Sequence, residues 1–180
     1  RVTFNRTDSD GCMSTNDTVI LLASGASGTA PEPEAFAAAL HEVCADLSRQ
    51  LVADAEGARH DIAVRVVHAE TEEAAEAVAR AVGRSNLFKT AIFGNDPNWG
   101  RVLAAIGIAP IELVADRISV SFNGSAVCID GAGAPGARDV DLSGADIEVV
   151  VDLQIGEHEA TIRTTDLSHA YVEENSAYSS

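Results

Sequence analysis

The sequence predicts an α+β fold, with helices and strands interspersed and hairpin-like strands gathered in its later half. Three observations carry this. Phe36, Leu40, Val43, Leu47 and Leu51 recur at helical spacing and give residues 33–55 one apolar face. Residues 61–70 alternate, with Ile62, Val64, Val66 and His68 on one side, as a half-buried strand does. Four further short β-rich runs follow residue 116 with little helix between them, which argues against a doubly wound parallel sheet.

The elements can be justified in chain order. Arg1-Val2-Thr3-Phe4 has no initiator Met and reads as an element already under way, so a fragment or processed chain is expected. Residues 7–17 are rich in Ser, Thr, Asn and Asp, the chemistry of turns and caps. Residues 18–24, TVILLAS, form a continuous apolar run short enough for a buried strand. In the helix at 33–55, Pro33 suits a first position and Glu34 suits the positive N-terminus. Gly57 is its stop signal. Glu56 then falls at the helix's C-terminal end, where a carboxylate opposes the dipole.

Thr71 caps a second helix with Glu72 and Glu73 in its first turn. Residues 86–93 are apolar around Lys89 and Thr90. The sequence Gly94-Asn95-Asp96-Pro97-Asn98-Trp99-Gly100 is a tight loop, and residues 101–108 suit a short helix. Strands are expected at 117–122, 126–129, 147–153 and 160–164. Asp166 starts a last short helix, and a polar tail runs over 173–180.

Composition narrows the function classes. A net charge of −16 speaks against nucleic acid and anionic membranes, which need clustered Lys and Arg. No leader opens the chain, and no apolar run reaches the roughly 20 residues of a membrane span. Cys12, Cys44 and Cys128 are too few and too far apart for a disulfide framework or a zinc pattern. Cys44 reads as a small buried hydrophobe, in a reduced setting.

Several motifs dissolve on inspection. Gly131-Ala132-Gly133-Ala134-Pro135-Gly136 fits a dinucleotide fingerprint, but no adequate helix follows and Pro135 removes a backbone donor, so a plain turn is expected. Asp8-Ser9-Asp10-Gly11 resembles a calcium loop without its closing Glu, and is read as a turn. None of His41, His60, His68, His158 or His169 sits in a metal-ligand pair. No serine has a G-x-S-x-G setting.

Four segments are more specific together than singly: Ser14-Thr15-Asn16-Asp17-Thr18; Asp54-Ala55-Glu56-Gly57; Lys89-Thr90 followed by Asp96-Pro97-Asn98-Trp99-Gly100-Arg101; and Glu173-Glu174-Asn175-Ser176. In their order they resemble the ornithine acetyltransferase (glutamate N-acetyltransferase) family of arginine biosynthesis. The likeness runs the length of the chain and includes Phe4-Asn5-Arg6 and Asp166-Leu167-Ser168.

The resemblance implies an Ntn-like, self-cleaving acyltransferase architecture. A precursor cuts itself before a threonine, which becomes the nucleophile of a β chain. That hydroxyl takes the acetyl group from N-acetylornithine and passes it to glutamate. The oxyanion hole comes from the α chain. By lineup the nucleophile lies upstream of Arg1, so no catalytic residue is assigned in this chain. Three substrate-binding positions carry over: Glu56, Asn175 and Ser180. Glu56 can accept from a substrate ammonium; Asn175 and Ser180 can donate to a carboxylate.

The resemblance also implies an α-chain partner, an α2β2 or larger assembly, a cytoplasmic location, no metal and no resident cofactor. Acetyl-CoA is a co-substrate in some members, and no residue here decides the matter. On this reading residues 1–57 belong to a catalytic core shared with the α chain. Residues 58–180 form a C-terminal α/β domain whose tail returns to the active site. Residues 1–24 should need the α chain to cover their apolar groups. Two departures stand out: Cys12-Met13, where the family carries acidic or Thr residues, and a displaced basic residue in Ala58-Arg59-His60. A self-cleaving aminopeptidase or amidase and a non-catalytic binding module are the alternatives.

Overall fold

The computed structural model describes residues 1–14 and 16–177 of the chain. Its elements run α1 (Pro33–Ala53), β1 (Asp61–Ala69), α2 (Glu72–Gly83), α3 (Asn86–Phe93), α4 (Trp99–Ile106), β2 (Ser119–Phe122), β3 (Ser125–Ile129), β4 (Ala132–Gly133), β5 (Asp146–Asp152), β6 (His158–Thr165) and α5 (His169–Ala177), with short 3-10 turns at Phe4–Arg6 and Ala115–Arg117. The class is α+β, as the sequence predicts.

The strands form one mixed sheet in the order β4-β3-β2-β5-β1-β6. Among the described strands β1 and β5 pair in parallel, with Val64 opposite Val149, and the other strand neighbours are antiparallel; Thr7 adds an isolated parallel bridge to Arg163 of β6. Alternation puts Ile62, Val64 and Val66 of β1, Val149 and Val151 of β5 and Ile162 of β6 on one buried face. Ala75, Val78, Ala79 and Val82 of α2 cover that face, joined by Phe88 and Ile92 of α3 and Val102 and Ile106 of α4. Aliphatic residues thus do what few aromatics could. His68 breaks the expected alternation. It takes φ of +53° at a register shift between β1 and β6, and its exposed ring meets Asp152 at 2.8 Å.

Side chains cap the helices, Thr71 as expected, and α4 starts at Trp99, two residues before the expected 101. The Thr71 hydroxyl accepts from Ala74 N, and Ser85 accepts from Phe88 N. Glu32 accepts from Glu34 N and Ala35 N beside Pro33 at the helix start. The Asp96–Arg101 segment proves to be framework. Asn98 caps α4 by accepting from Arg101 N, and the Arg101 guanidinium donates to Leu87 O of α3 at 2.7 Å. Trp99 lies so close to Gly133 that a Cβ there would come within 3.1 Å of the indole. The Gly131–Gly136 segment is strand and turn with no helix after it, as expected.

Three expectations are corrected. Residues 18–24 form no strand and pair with none among the described residues; the exposure of Val19, Ile20, Leu21 and Leu22 is what a segment needing another chain to cover it would show. An apolar run becomes a strand only where another backbone edge takes its hydrogen bonds, and no edge of this sheet reaches it. The apolar stripe of α1 faces outward: Phe36, Val43, Leu47 and Leu51 are exposed, while Ser48 and Val52 are buried. Ala45, Ser48 and Arg49 border a cavity with Thr161 and Arg163 on the second face of the sheet. Finally, α1 ends at Ala53 and α5 begins at His169 rather than Asp166. Cys44 on α1 is half-buried; Cys128 is the fully buried thiol.

Candidate functional site

Glu56 lies beyond α1, not in its last turn. Asp54 ends the helix by donating its backbone N–H to Gln50 O. A separate turn follows, closed by Ala58 N to Ala55 O at 3.0 Å. The expected opposition between Glu56 and the helix dipole is therefore relieved, because that effect fades within one turn. Glu56 is exposed. Its carboxylate forms no hydrogen bond or ion pair among the described residues.

What fixes this turn is the segment leading into α5. Asp166 is 2% exposed, and its Oδ1 accepts from Arg59 N at 2.9 Å and His60 N at 3.1 Å. His60 Nδ1 stands 3.1 Å from Asp166 Oδ2. The Ser168 hydroxyl donates to Gly57 O at 2.5 Å and accepts from Tyr171 N at 3.1 Å, so one side chain caps α5 and ties it to the turn. Gly57 has φ of +63°, and a Cβ on it would fall 2.2 Å from Tyr171 N. Only glycine permits both the backbone angle and the approach. Arg59 closes the side of the turn, its guanidinium 5.0 Å from the Phe93 ring centre.

A third segment completes the constellation. Asp8 is 6% exposed and receives Arg80 Nη1 at 2.8 Å, Arg84 Nε at 2.7 Å and Gly11 N at 2.9 Å. The loop it anchors is a turn, as expected, and it carries Asp10 to the Tyr171 hydroxyl, which donates to Asp10 Oδ2 at 3.1 Å. The Tyr171 phenol is held above its ordinary pKa, first by burial, then by Asp10, with Cys12 and Glu56 adding to the effect. Asp10 and Glu56 thus both act on the Tyr171 phenol in the first turn of α5, two carboxylates suited to a cationic group.

Of the residues singled out from sequence, Glu56 and Asn175 are both carried by this constellation. Asn175 lies one turn beyond Tyr171, and its Nδ2 donates to Tyr171 O at 3.0 Å. Ser180 lies outside the described residues. Sequence reasoning gave no role beside Glu56 to Asp8, Asp10, Asp166 and Tyr171, which the structure brings around its turn. Asp166-Leu167-Ser168 was visible as a motif without a role. Among the described residues no three His, Cys, Asp or Glu side chains are grouped to hold a metal ion. No helix among them is long and apolar enough to cross a membrane.

Comparison with known proteins accounts for the whole chain. The model of the ArgJ family matches residues 1–180. The arginine biosynthesis bifunctional protein ArgJ of Mycobacterium leprae (strain TN) is 62% identical over 178 residues, 99% of this chain and 44% of the relative. The protein of that name from Streptomyces coelicolor is 54% identical over 180 residues, 100% of this chain and 47% of the relative. The chain spans about half the length of these curated relatives. The crystal structure of arginine biosynthesis bifunctional protein argJ from Bacillus halodurans superposes with a TM-score of 0.90 at 35% identity, covering 98% of this chain and 87% of that one. From its first residue to its last, the chain belongs to the ArgJ family.

Proposed function

We propose that this chain is the substrate-holding portion of an acyltransferase that moves an acetyl group from N-acetylornithine to glutamate in arginine biosynthesis. The observation that carries the reading is the interlock of Gly57 with the first turn of α5. It presents the Glu56 carboxylate beside the segment that bears Asn175.

In this reading a threonine hydroxyl outside the chain attacks the acetyl carbonyl of N-acetylornithine. The amide C–N bond breaks, the ornithine amine leaves with a proton, and an acetyl ester forms on the threonine. The glutamate amine then attacks that ester, forming N-acetylglutamate and returning the proton to the hydroxyl. Glu56 accepts from the substrate ammonium, while Asn175 and Ser180 donate to its carboxylate. For Asn175 to do so, its side chain must exchange the Tyr171 carbonyl for the ligand. The chain holds substrate and supplies no reacting atom. No metal or resident cofactor takes part in this reading.

The partner in this reading is an α chain from the same precursor, in an α2β2 or larger cytoplasmic assembly. Residues 1–57 contribute to the shared core, and 58–180 form the domain whose tail returns to the site. Support comes from the apolar groups of Val19, Ile20, Leu21, Leu22, Val43, Leu47 and Leu51, all exposed here. A patch of that kind marks a surface that is covered in the working molecule.

Glu56→Ala in the complete, self-processed enzyme tests the reading. KM for N-acetylornithine should rise by about tenfold or more, the loss of one charge-assisted contact. An unchanged KM for both substrates removes Glu56 from the site. Acetyl release from N-acetylornithine at a rate indifferent to glutamate would instead identify an amidase. Turnover by this chain alone would refute the absence of the nucleophile.

A further inference from the structure

Lys89 sits in the middle of α3 among buried Phe88, Ala91 and Ile92 and is itself 3% exposed. A lysine is seldom buried so completely, because taking an ammonium out of water is costly unless specific partners meet it. Its partners here are backbone and hydroxyl. Nζ donates to Ser9 O and lies 3.5 Å from Thr164 Oγ1. Burial is the largest influence on its pKa and lowers it, while Asp10, Asp8 and Asp166 pull the other way. The ammonium thus lies in the common field of the three aspartates that organise the site.

The same residue reaches both sides of that site. Its side chain holds the Ser9 carbonyl, which also accepts from the Thr165 hydroxyl at 3.1 Å. Its backbone carbonyl accepts from Leu167 N at 3.3 Å. Ser9 is next to Asp10, which receives the Tyr171 hydroxyl. Leu167 lies between Asp166 and Ser168, which hold the Glu56 turn through Arg59, His60 and Gly57. None of these contacts requires Lys89 to touch a ligand.

We propose that Lys89 is a positioning residue of the Glu56 site, locking the loop at residues 8–11 and the start of α5 in register through the Ser9 carbonyl. The inference rests on the Glu56 reading above. Without the ammonium, the Ser9 carbonyl loses its charged donor. Asp10 is then no longer held under Tyr171, and α5 is free to shift over the Glu56 turn.

The test compares Lys89→Met, Lys89→Arg, Tyr171→Phe, the double variant Lys89→Met/Tyr171→Phe and Glu56→Ala in the complete, self-processed enzyme. Lys89→Met should raise KM for N-acetylornithine about tenfold, as the loss of one hydrogen bond from a charged donor would, with kcat little changed. Lys89→Arg, which keeps a charged donor, should recover most of that loss. Tyr171→Phe should raise KM in the same direction, and the double variant should be no worse than Lys89→Met alone, because both act through one loop. A normal KM in Lys89→Met overturns the proposal, as does a fall in kcat with KM unmoved, or effects that multiply in the double variant. If Lys89→Met does not fold, Tyr171→Phe and Asp10→Asn decide, and wild-type KM in both overturns it. Raised KM in Glu56→Ala beside normal KM in the Lys89 and Tyr171 variants defeats the positioning role alone. A normal KM in Glu56→Ala defeats the Glu56 reading instead.

Discussion

Gly57→Ala should be among the most damaging small substitutions in the chain, and its cost can be built from the structure. The residue has φ of +63°, a conformation that costs an L-residue about 1–2 kcal/mol. The added methyl would lie 2.2 Å from Tyr171 N and 2.6 Å from Ala170 C. Alanine has no side-chain torsion with which to escape, and both obstructing atoms belong to backbone. Relief requires α5 to move off the turn. That movement breaks the Ser168 contact with Gly57 O and strains the two backbone donors on Asp166. Three hydrogen bonds at about 1 kcal/mol each bring the total to about 4–5 kcal/mol. Thermal unfolding should shift by about 2–4 °C per kcal/mol in a chain of this size. If the α5 contact opens before the core unfolds, the loss will appear instead as faster amide exchange confined to residues 57–60 and 168–173. A Gly57→Ala protein with unchanged melting and unchanged exchange in those segments would refute the interlock.

Other outcomes follow from the same contacts. Asp8→Asn removes the charge that Arg80 and Arg84 share and should cost about 2 kcal/mol in denaturant unfolding; a cost below about 0.5 kcal/mol, typical of surface changes, would count against a buried anchor. Ser168→Ala should cost about 1 kcal/mol as a lost helix cap, with α5 exchanging faster than the sheet; equal protection of the two would contradict it. Tyr171 should titrate above its ordinary value of 10.0 because of burial and Asp10. Since the folded value is the higher one, its contribution to stability is complete below pH 10 and lost as pH rises through the folded value. Ring-labelled NMR titration reads this directly, with Tyr171→Phe giving the assignment; titration at or below the ordinary value would exclude the contact. Leu47→Glu, on the exposed apolar stripe of α1, should weaken association with the α chain in size-exclusion chromatography; an undisturbed complex would show that this stripe is not the interface.

Most of the fold was legible because its signals are local. Thr71 caps the helix it precedes, and the alternation over 61–67 reports the sheet face directly. The failures share one cause. Periodicity shows that a surface is apolar but not what covers it. Residues 18–24 therefore suit a strand by composition yet pair with none, and the apolar face of α1 points outward. The site was legible only through resemblance. Glu56 belongs to a turn whose geometry depends on Asp166 and Ser168, more than 100 residues away. Asp10 meets Tyr171 across 161 positions. No spacing rule spans such separations, and Lys89 was visible only as part of a motif, 80 positions from the Ser9 carbonyl that receives its ammonium.

The two faces of α1 connect assembly to the site. Ser48 follows Leu47 by one residue, about 100° around the helix, so the buried and exposed apolar positions occupy different sides. A helix apolar on more than one side is normally enclosed. The inner side borders a cavity against Arg163 of β6, two residues before Thr165, whose hydroxyl donates to the Ser9 carbonyl. The C-terminal end of α1 runs through Asp54 directly into the Glu56 turn. Whatever covers Leu47 and Leu51 therefore fixes the helix from which Glu56 is hung, while Asp166 and Ser168 fix the turn from the opposite end. If the proposed α chain covers that stripe, Glu56 is held between a surface completed by the partner and a framework internal to the chain. On this argument, loss of the partner alters substrate affinity even though Asp166, Ser168 and Gly57 remain in place.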